Sequence, residues 1–329
     1  MARLTDRGRP VKVDWRSDAD PDDLREYDAF GPWIDPVRTP IGRPRVFRPW
    51  YPELADAAFL LKIPKDIDRA QARPGQDLFA AVLAVGERGV CQLRLAGGTV
   101  TREDATWEQV VACCANTNLL LAEWSLLLSN GYALHVPHNS VGTALMAKVT
   151  AYVRAHIAAL PARPGQSGWP DVPGLSEVPD LPDVAVPQDY SASKLAELKR
   201  TFPAPVVAIH VEPKNRLCRS GRFARRLSTG LMVVDTPEAL VIVNGGEPTR
   251  SIFSANYATS VLIVPYSGLD SWAVTASSAG PDFVTLGLRA GDQLIEQPFL
   301  DRPTPVIAAL NRRELLPAEL HGEVAGVLR

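Results

Sequence analysis

The clearest alternation of apolar and polar positions runs from Leu120 to Val136. Leu120, Ala122, Trp124, Leu126 and Leu128 fall on one face of an extended segment, while Glu123, Ser125 and Ser129 fall on the other. Asn130-Gly131 invites a two-residue turn, but that register sets Trp124 against Pro137 and Leu127 against Leu134, and the apolar faces then fail to match. A three-residue loop, Ser129-Asn130-Gly131, pairs 128 with 132, 126 with 134 and 124 with 136. Leu128/Tyr132, Leu126/Leu134 and Trp124/Val136 then share one face. Register follows the buried face, so the pattern predicts the three-residue loop with Gly131 in its left-handed position.

Other stretches carry the same kind of signal. An apolar run, Leu78 to Val85, the turn Gly86-Glu87-Arg88-Gly89 and the alternation from Val90 to Leu95 predict a second hairpin. Thr106 to Cys114 reads as a strand entered through Trp107. Leu145, Val149, Tyr152, Val153 and Ile157 form an amphipathic stripe, which predicts a helix from Val141 to Ala159 ended by Pro161. Ser191 to Arg200 reads as a short serine-capped helix. Beyond it, Leu231–Val234 and Ala239–Val243 flank the turn Asp235-Thr236-Pro237-Glu238. Ser260 to Tyr266, a face of Trp272, Val274 and Ala276, and a face of Val284, Leu286 and Leu288 predict further strands, with Thr304 to Arg313 a final helix. Ala55 to Lys62 fits a short helix or a strand. From Tyr27 to Pro52 prolines alternate with aromatics, and because proline removes backbone donors this stretch is expected to be extended. Its aromatics, Trp33 and Trp50 among them, are expected to pack as a strap on the first domain.

The same order of elements thus occurs twice, on either side of a segment, Pro161 to Pro187, whose seven prolines make it a semi-extended linker. The expected organisation is a polar tail at 1–26, a first domain at 27–160, the proline-rich linker at 161–190 and a second domain at 191–329. The fold class is α+β, with two antiparallel units each closed by a C-terminal helix.

This layout resembles a pleckstrin-homology-like domain of bacterial proteins, here in tandem. The pieces that carry the resemblance are Leu78–Leu95, Thr106–Cys114, Leu120–Val136 and the helix Val141–Ala159, then Leu231–Val243, Ser260–Tyr266, Trp272–Leu288 and Thr304–Arg313. The resemblance covers about two thirds of the chain and rests on element order, with no diagnostic motif. It implies an assembly or membrane-associated module, not lipid binding as such, and it carries over no catalytic residue.

Composition narrows the chemistry. With 46% hydrophobic residues and a net charge of −2 over 329 residues, the chain reads as globular, and any electrostatic function must come from a local patch. Its four cysteines, Cys91, Cys113, Cys114 and Cys218, match neither a disulfide framework nor a zinc-ribbon spacing. The charged start of the chain lacks the apolar stretch of a signal peptide, and no run reaches the ~20 apolar residues of a transmembrane helix. A cytoplasmic protein is therefore expected, with a membrane-peripheral location the variant.

The sharpest local signal is Lys214, Arg216, Arg219, Arg222, Arg225 and Arg226, six basic residues in thirteen with no acidic one between them. Read as a loop before the second unit, this cluster is the candidate ligand-binding site. It suits anionic headgroups at about 1 kcal/mol per basic residue, and equally the phosphates of a nucleic acid. Its only aromatic, Phe223, argues against nucleic acid held by base stacking. The competing reading is a solvated loop paired with acids elsewhere. His135 and His138, with Cys113 and Cys114, lack metal-ligand spacing and read as two buried cysteines, a strand-face histidine and a turn histidine. Ser191-Ala-Ser-Lys194 matches a Ser-x-x-Lys pattern without its companion motifs and is explained by a helix cap. No catalytic residue, metal site or cofactor is assigned. The preferred function is a non-enzymatic binding or scaffolding protein with a protein partner. The alternatives are a peripheral membrane protein using residues 214–226, and a hydrolase or transferase whose site assembles from scattered residues.

Overall fold

The computed structural model describes residues 16–160, 190–202, 205–219, 225–245, 258–300 and 302–313, and at 190–191, 214–219 and 225–229 it describes the backbone alone. The fold is α+β, built on antiparallel sheets, and the chain divides into two compact units, Met1–Asp104 and Ala105–Arg329.

The first unit opens with helix α1 (Pro21–Asp28). Asp20 caps it by accepting the Asp22 N–H at 2.7 Å, and Pro21 and the acidic first turn suit a helix start. The tail expected at 1–26 therefore ends in a helix, and its residues 1–15 lie outside the described ones. A five-stranded sheet follows in the order β1 (Asp35–Pro36), β2 (Phe59–Pro64), β3 (Phe79–Gly86), β4 (Gly89–Ala96) and β5 (Thr99–Thr106). The β3–β4 hairpin pairs Val85 with Val90 and Gly86 with Gly89, as the alternation predicted. The ambiguous stretch near Ala55 resolves to the strand β2.

The proline–aromatic segment differs from expectation. Arg45–Leu54 winds as a 3-10 helix with Pro49 and Pro52 inside it. Proline fixes φ near −65°, a value that helical and extended backbones share, so proline alone does not choose between them. Burial chooses. The winding brings Phe47, Tyr51 and Leu54 into the core, where they join Phe30, Phe79 and Leu93. What was expected as a surface strap is the middle of the first unit, although Trp33 stays 48% exposed.

The second unit centres on a seven-stranded sheet. In chain order its strands are β6 (Val110–Asn118), β7 (Leu121–Leu128), β8 (Ala133–Asn139), β9 (Val207–Arg219), β10 (Arg225–Asp235), β11 (Ala239–Asn244) and β12 (Thr259–Pro265). Helix α2 (Thr143–Ala158) follows β8, and α3 (Tyr190–Thr201) precedes β9. Across the sheet the order is β8-β7-β6-β12-β11-β10-β9. The link is β12 against β6, with Ile263 opposite Cys113 and Thr259 opposite Thr117. Strands from both sides of the proline-rich segment, residues 161–189 of which lie outside the described ones, therefore share one sheet. This differs from separate halves at 27–160 and 191–329. The pieces that resembled a first pleckstrin-homology-like unit fall in two sheets, the hairpin in one and the later strands in the other. The reason is backbone hydrogen bonding: an edge strand exposes unpaired donors and acceptors, and β12 supplies the partners for β6.

The β7–β8 hairpin has the predicted register, with Trp124 opposite Val136 and Leu126 opposite Leu134. Leu128 N–H donates to the Tyr132 carbonyl at 2.9 Å, and Gly131 sits at φ 82°. Trp124, Leu126, Leu134 and Val136 are buried on the face covered by α2, where Trp124 Nε1 donates to Thr150 Oγ1 at 3.0 Å. Met146, missing from the predicted stripe, is buried on α2 with Val149, Val153 and Ile157. The same face farther along packs Met232, Val241 and Ile263 against Leu198 and Phe202. The opposite face, with Val233, Leu240, Ile242 and Val264, packs on a three-stranded sheet, β13 (Ser271–Ala276), β14 (Val284–Ala290) and β15 (Gln293–Phe299), and on α4 (Thr304–Arg312). Strand β15 escaped the sequence reading because one inward position is Gln297. That amide is buried by a reciprocal pair with Asn244, at 2.9 and 3.2 Å.

The end of α4 is locked to the β10–β11 turn. Arg313 donates to the Thr236 and Pro237 carbonyls at 3.0 and 2.8 Å, and Tyr266 Oη donates to Asp235 Oδ1 at 2.5 Å. Burial, and then the adjacent carboxylate, push the Tyr266 phenol well up, so it remains a donor.

Candidate functional site

One row of Cα partners crosses most of the seven-stranded sheet: Leu231, Asn244, Ser260, Asn116, Glu123 and Pro137. Two features run beyond that row at the same end of the sheet. One is the far part of the β9–β10 ribbon, and the other is the turn between β6 and β7.

The ribbon carries the basic cluster. Lys214, Arg216 and Arg219 lie in β9, and Arg225 and Arg226 lie in β10. The cluster is thus a two-stranded extension, not the loop expected, with Arg219 opposite Arg225 and Lys214 opposite Thr229. Arg222 lies outside the described residues. Beyond the pair Leu231–Glu212 the ribbon continues for six residues of β10 to Arg225, a reach of about 20 Å at the usual strand rise.

The β6–β7 turn is apolar and open. Leu119, Leu120 and Leu121 are 64%, 67% and 75% exposed. Ser140 N–H donates to the Leu120 carbonyl at 2.9 Å, which brings Val141, 72% exposed, beside them. Of the nine exposed large apolar side chains among the described residues, these four are gathered at one place, and such gathering, unlike single exposed leucines, marks an interaction surface. Leu119 adopts φ 53°, the sole positive φ at a non-glycine residue among those described. The alternation puts Leu120 on the buried face, and the structure instead leaves it in solvent. The available signal was the leucine triplet itself, because three consecutive leucines cannot all face one side of a strand.

A polar cluster lies on the sheet face opposite α2. Ser125 Oγ is 3.1 Å from His135 Nδ1 and donates to Glu123 Oε1 at 3.2 Å, and that carboxylate oxygen is 3.5 Å from the same ring nitrogen. The residue types are those of a hydrolytic triad, but the geometry is not. A relay needs the carboxylate on one imidazole nitrogen and the hydroxyl on the other. Here both meet Nδ1, and Ser125 is buried. Beside it, Cys114 Sγ donates to Asn116 Oδ1 at 3.3 Å. Burial pushes the Cys113 and Cys91 thiols up to about 12 and raises that of Cys114, so these sulfurs are protonated and poor nucleophiles at neutral pH.

His135 and His138 do not converge with the cysteines on a common centre: among the described residues no group of three or more His, Cys, Asp or Glu could hold a metal ion. His138 Nδ1 donates to the Val136 carbonyl at 3.0 Å. In the Ser-x-x-Lys segment, Lys194 pairs with Glu197 at 2.8 Å, one turn along α3. Among the described residues no helix is long and apolar enough to cross a membrane. No family model matches the chain, and no curated protein matches it.

Proposed function

We propose that the chain is a binding module that docks on an anionic membrane surface through one end of its seven-stranded sheet. The observation that supports this reading is the placement, at that same end, of a basic ribbon and an exposed aliphatic turn. Four strand spacings separate the two hairpins, about 19 Å at the usual ~4.8 Å per strand. Sheet twist of roughly 20–25° per strand fans their directions apart. A turn entering the headgroup region end-on would then leave the ribbon lying flatter along the charged surface. The two contributions have different physics. Burying a leucine is worth about 1.5–3 kcal/mol, and each basic residue near anionic lipid adds about 1 kcal/mol that salt screens.

The test is co-sedimentation of the full chain with phosphatidylcholine vesicles, with and without phosphatidylserine. Binding is expected only with the anionic lipid and should weaken with salt. The double substitution Leu120→Glu and Leu121→Glu should lower affinity at least tenfold, about 1.4 kcal/mol. Reversing Arg219, Arg225 and Arg226 to Glu should remove the salt dependence with the binding. Equal affinity for neutral vesicles, or none for either, sinks the membrane reading. In the second case a protein partner captured by the same two substitution-sensitive features would be the better account.

A further inference from the structure

The first unit carries a separate feature. Between α1 and the proline–aromatic 3-10 helix lies an open groove of about 350 Å³, lined by Asp22, Arg25, Pro40, Ile41, Arg43 and Arg48. That is room enough for a small molecule. Three guanidiniums share it with one carboxylate. Asp22 engages two of them, pairing with Arg25 and, at 3.2 Å, with Arg48. Among the described residues Arg43 has no such carboxylate partner. Among the described residues its Nε is buried without an acceptor, and its guanidinium lies 4.9 Å over the ring of Tyr51, whose Oη is likewise buried with no hydrogen-bond partner among them. Buried donors are almost always paired in folded proteins, because leaving one unmade is destabilising. An unsatisfied guanidinium nitrogen on a residue that lines a cationic groove, with an unsatisfied phenol behind it in the core, indicates that the polar complement there is incomplete.

We propose that this groove binds a phosphate monoester, with Arg43 as the anchor and Arg25 and Arg48 turning from Asp22 to share its oxygens. The charge balance selects the ligand class: a phosphate monoester carries about −1.5 to −2 at neutral pH, and a carboxylate carries only one charge. Guanidinium forks match phosphate oxygens two at a time. Pro40 and Ile41, the latter 66% exposed, offer an apolar wall for the ester group. Burial raises the Tyr51 phenol, so it keeps its proton wherever the phosphate is a dianion.

Titration calorimetry on the full chain at low salt tests this, with phenyl phosphate and benzoate as probes. Saturable binding of phenyl phosphate is expected, with benzoate at least tenfold weaker and Arg43→Gln at least tenfold weaker for the phosphate. The ribbon variant R219E/R225E/R226E should bind phenyl phosphate as the parent does, which separates the groove from the basic cluster of the second unit. Should Arg43→Gln fail to fold, Arg43→Lys and Arg25→Gln carry the test, each with an expected loss of threefold or more. Absence of saturable binding, equal affinity for the two probes, an unaffected Arg43 variant, or loss in the ribbon variant alone would each overturn the assignment.

Discussion

Strand β7 has a turn at each end, and the two are built on opposite principles. At its C-terminal end the chain reverses through Ser129, Asn130 and Gly131, with glycine at φ 82° where a left-handed residue is needed and Asn130 Oδ1 accepting the Tyr132 N–H at 3.1 Å. At its N-terminal end the chain reverses through Leu119 and Leu120, with a leucine at φ 53° and its neighbours in solvent. The first turn uses the residues its geometry asks for. The second places a bulky side chain in a conformation that costs about 1–2 kcal/mol and exposes apolar surface as well. A local rule broken twice at one place, in a hairpin otherwise well made, is where function is to be sought.

The largest expected effect separates leucines on the two sides of this contrast. Leu126 is fully buried beneath α2, and Leu126→Ala should destabilise the second unit by about 2–5 kcal/mol through lost burial and the cavity left behind. Leu120→Ala should change stability by no more than about 0.5 kcal/mol. Urea unfolding of the two variants decides the matter. A large loss at Leu120 would mean that its side chain supports the fold, and the turn would cease to be a candidate surface.

A smaller pair of substitutions exchanges the turn chemistry. Gly131→Ala forces a Cβ into the left-handed region and should destabilise by about 1 kcal/mol. Leu119→Gly relieves that strain while loosening the unfolded chain by about 0.5–1 kcal/mol, so it should leave stability unchanged or raise it by up to about 1.5 kcal/mol. The same Leu119→Gly variant should bind anionic vesicles several-fold more weakly. Higher stability with weaker binding is the signature of a residue kept for a surface. If Leu119→Gly lowers the urea midpoint as Gly131→Ala does, the strain is structural.

Much of this contrast was legible in the sequence, and what escaped did so for physical reasons. The β7–β8 register followed from matching Trp124 to Val136 and Leu126 to Leu134, because a one-residue slip would turn every buried side chain outward. The β10–β11 hairpin was equally local, with Val234 opposite Val241 across a four-residue turn. The pairing of β12 with β6 was not legible. It joins Cys113 to Ile263 across 150 residues, and neither strand's alternation names its neighbour. The basic residues were found by charge alone, but their place in a ribbon was missed because Arg and Lys at strand positions leave no apolar period. In the first unit the prolines of Tyr27–Pro52 point to an extended strap carrying Phe47 and Tyr51, whereas the segment winds as a 3-10 helix that also buries Leu54. The spacing of 47, 51 and 54 is itself helical, and that was the overlooked signal.

The smallest expected effect concerns pH at the exposed end of the hairpin. His138 lies opposite Ala122, one position from the leucine turn's partner Asn139. Burial pushes its imidazole below the ordinary value of 6.5, against the opposing pull of the Val136 carbonyl and the Glu123 charge. A base depressed in the folded state is protonated first in the unfolded chain. Its contribution to stability is therefore complete above pH 6.5 and is lost as pH falls through the lower folded value. The second unit should become easier to unfold in urea as pH drops from 7.5 to 5.5, and His138→Gln should flatten that slope without touching the turn leucines. Vesicle binding measured at pH 7.5 should be the same in His138→Gln and in the parent chain. If the variant keeps the full slope, the proton enters elsewhere. If it loses vesicle binding at pH 7.5, the half-buried His138 and the exposed leucines are not the independent parts that the contrast requires.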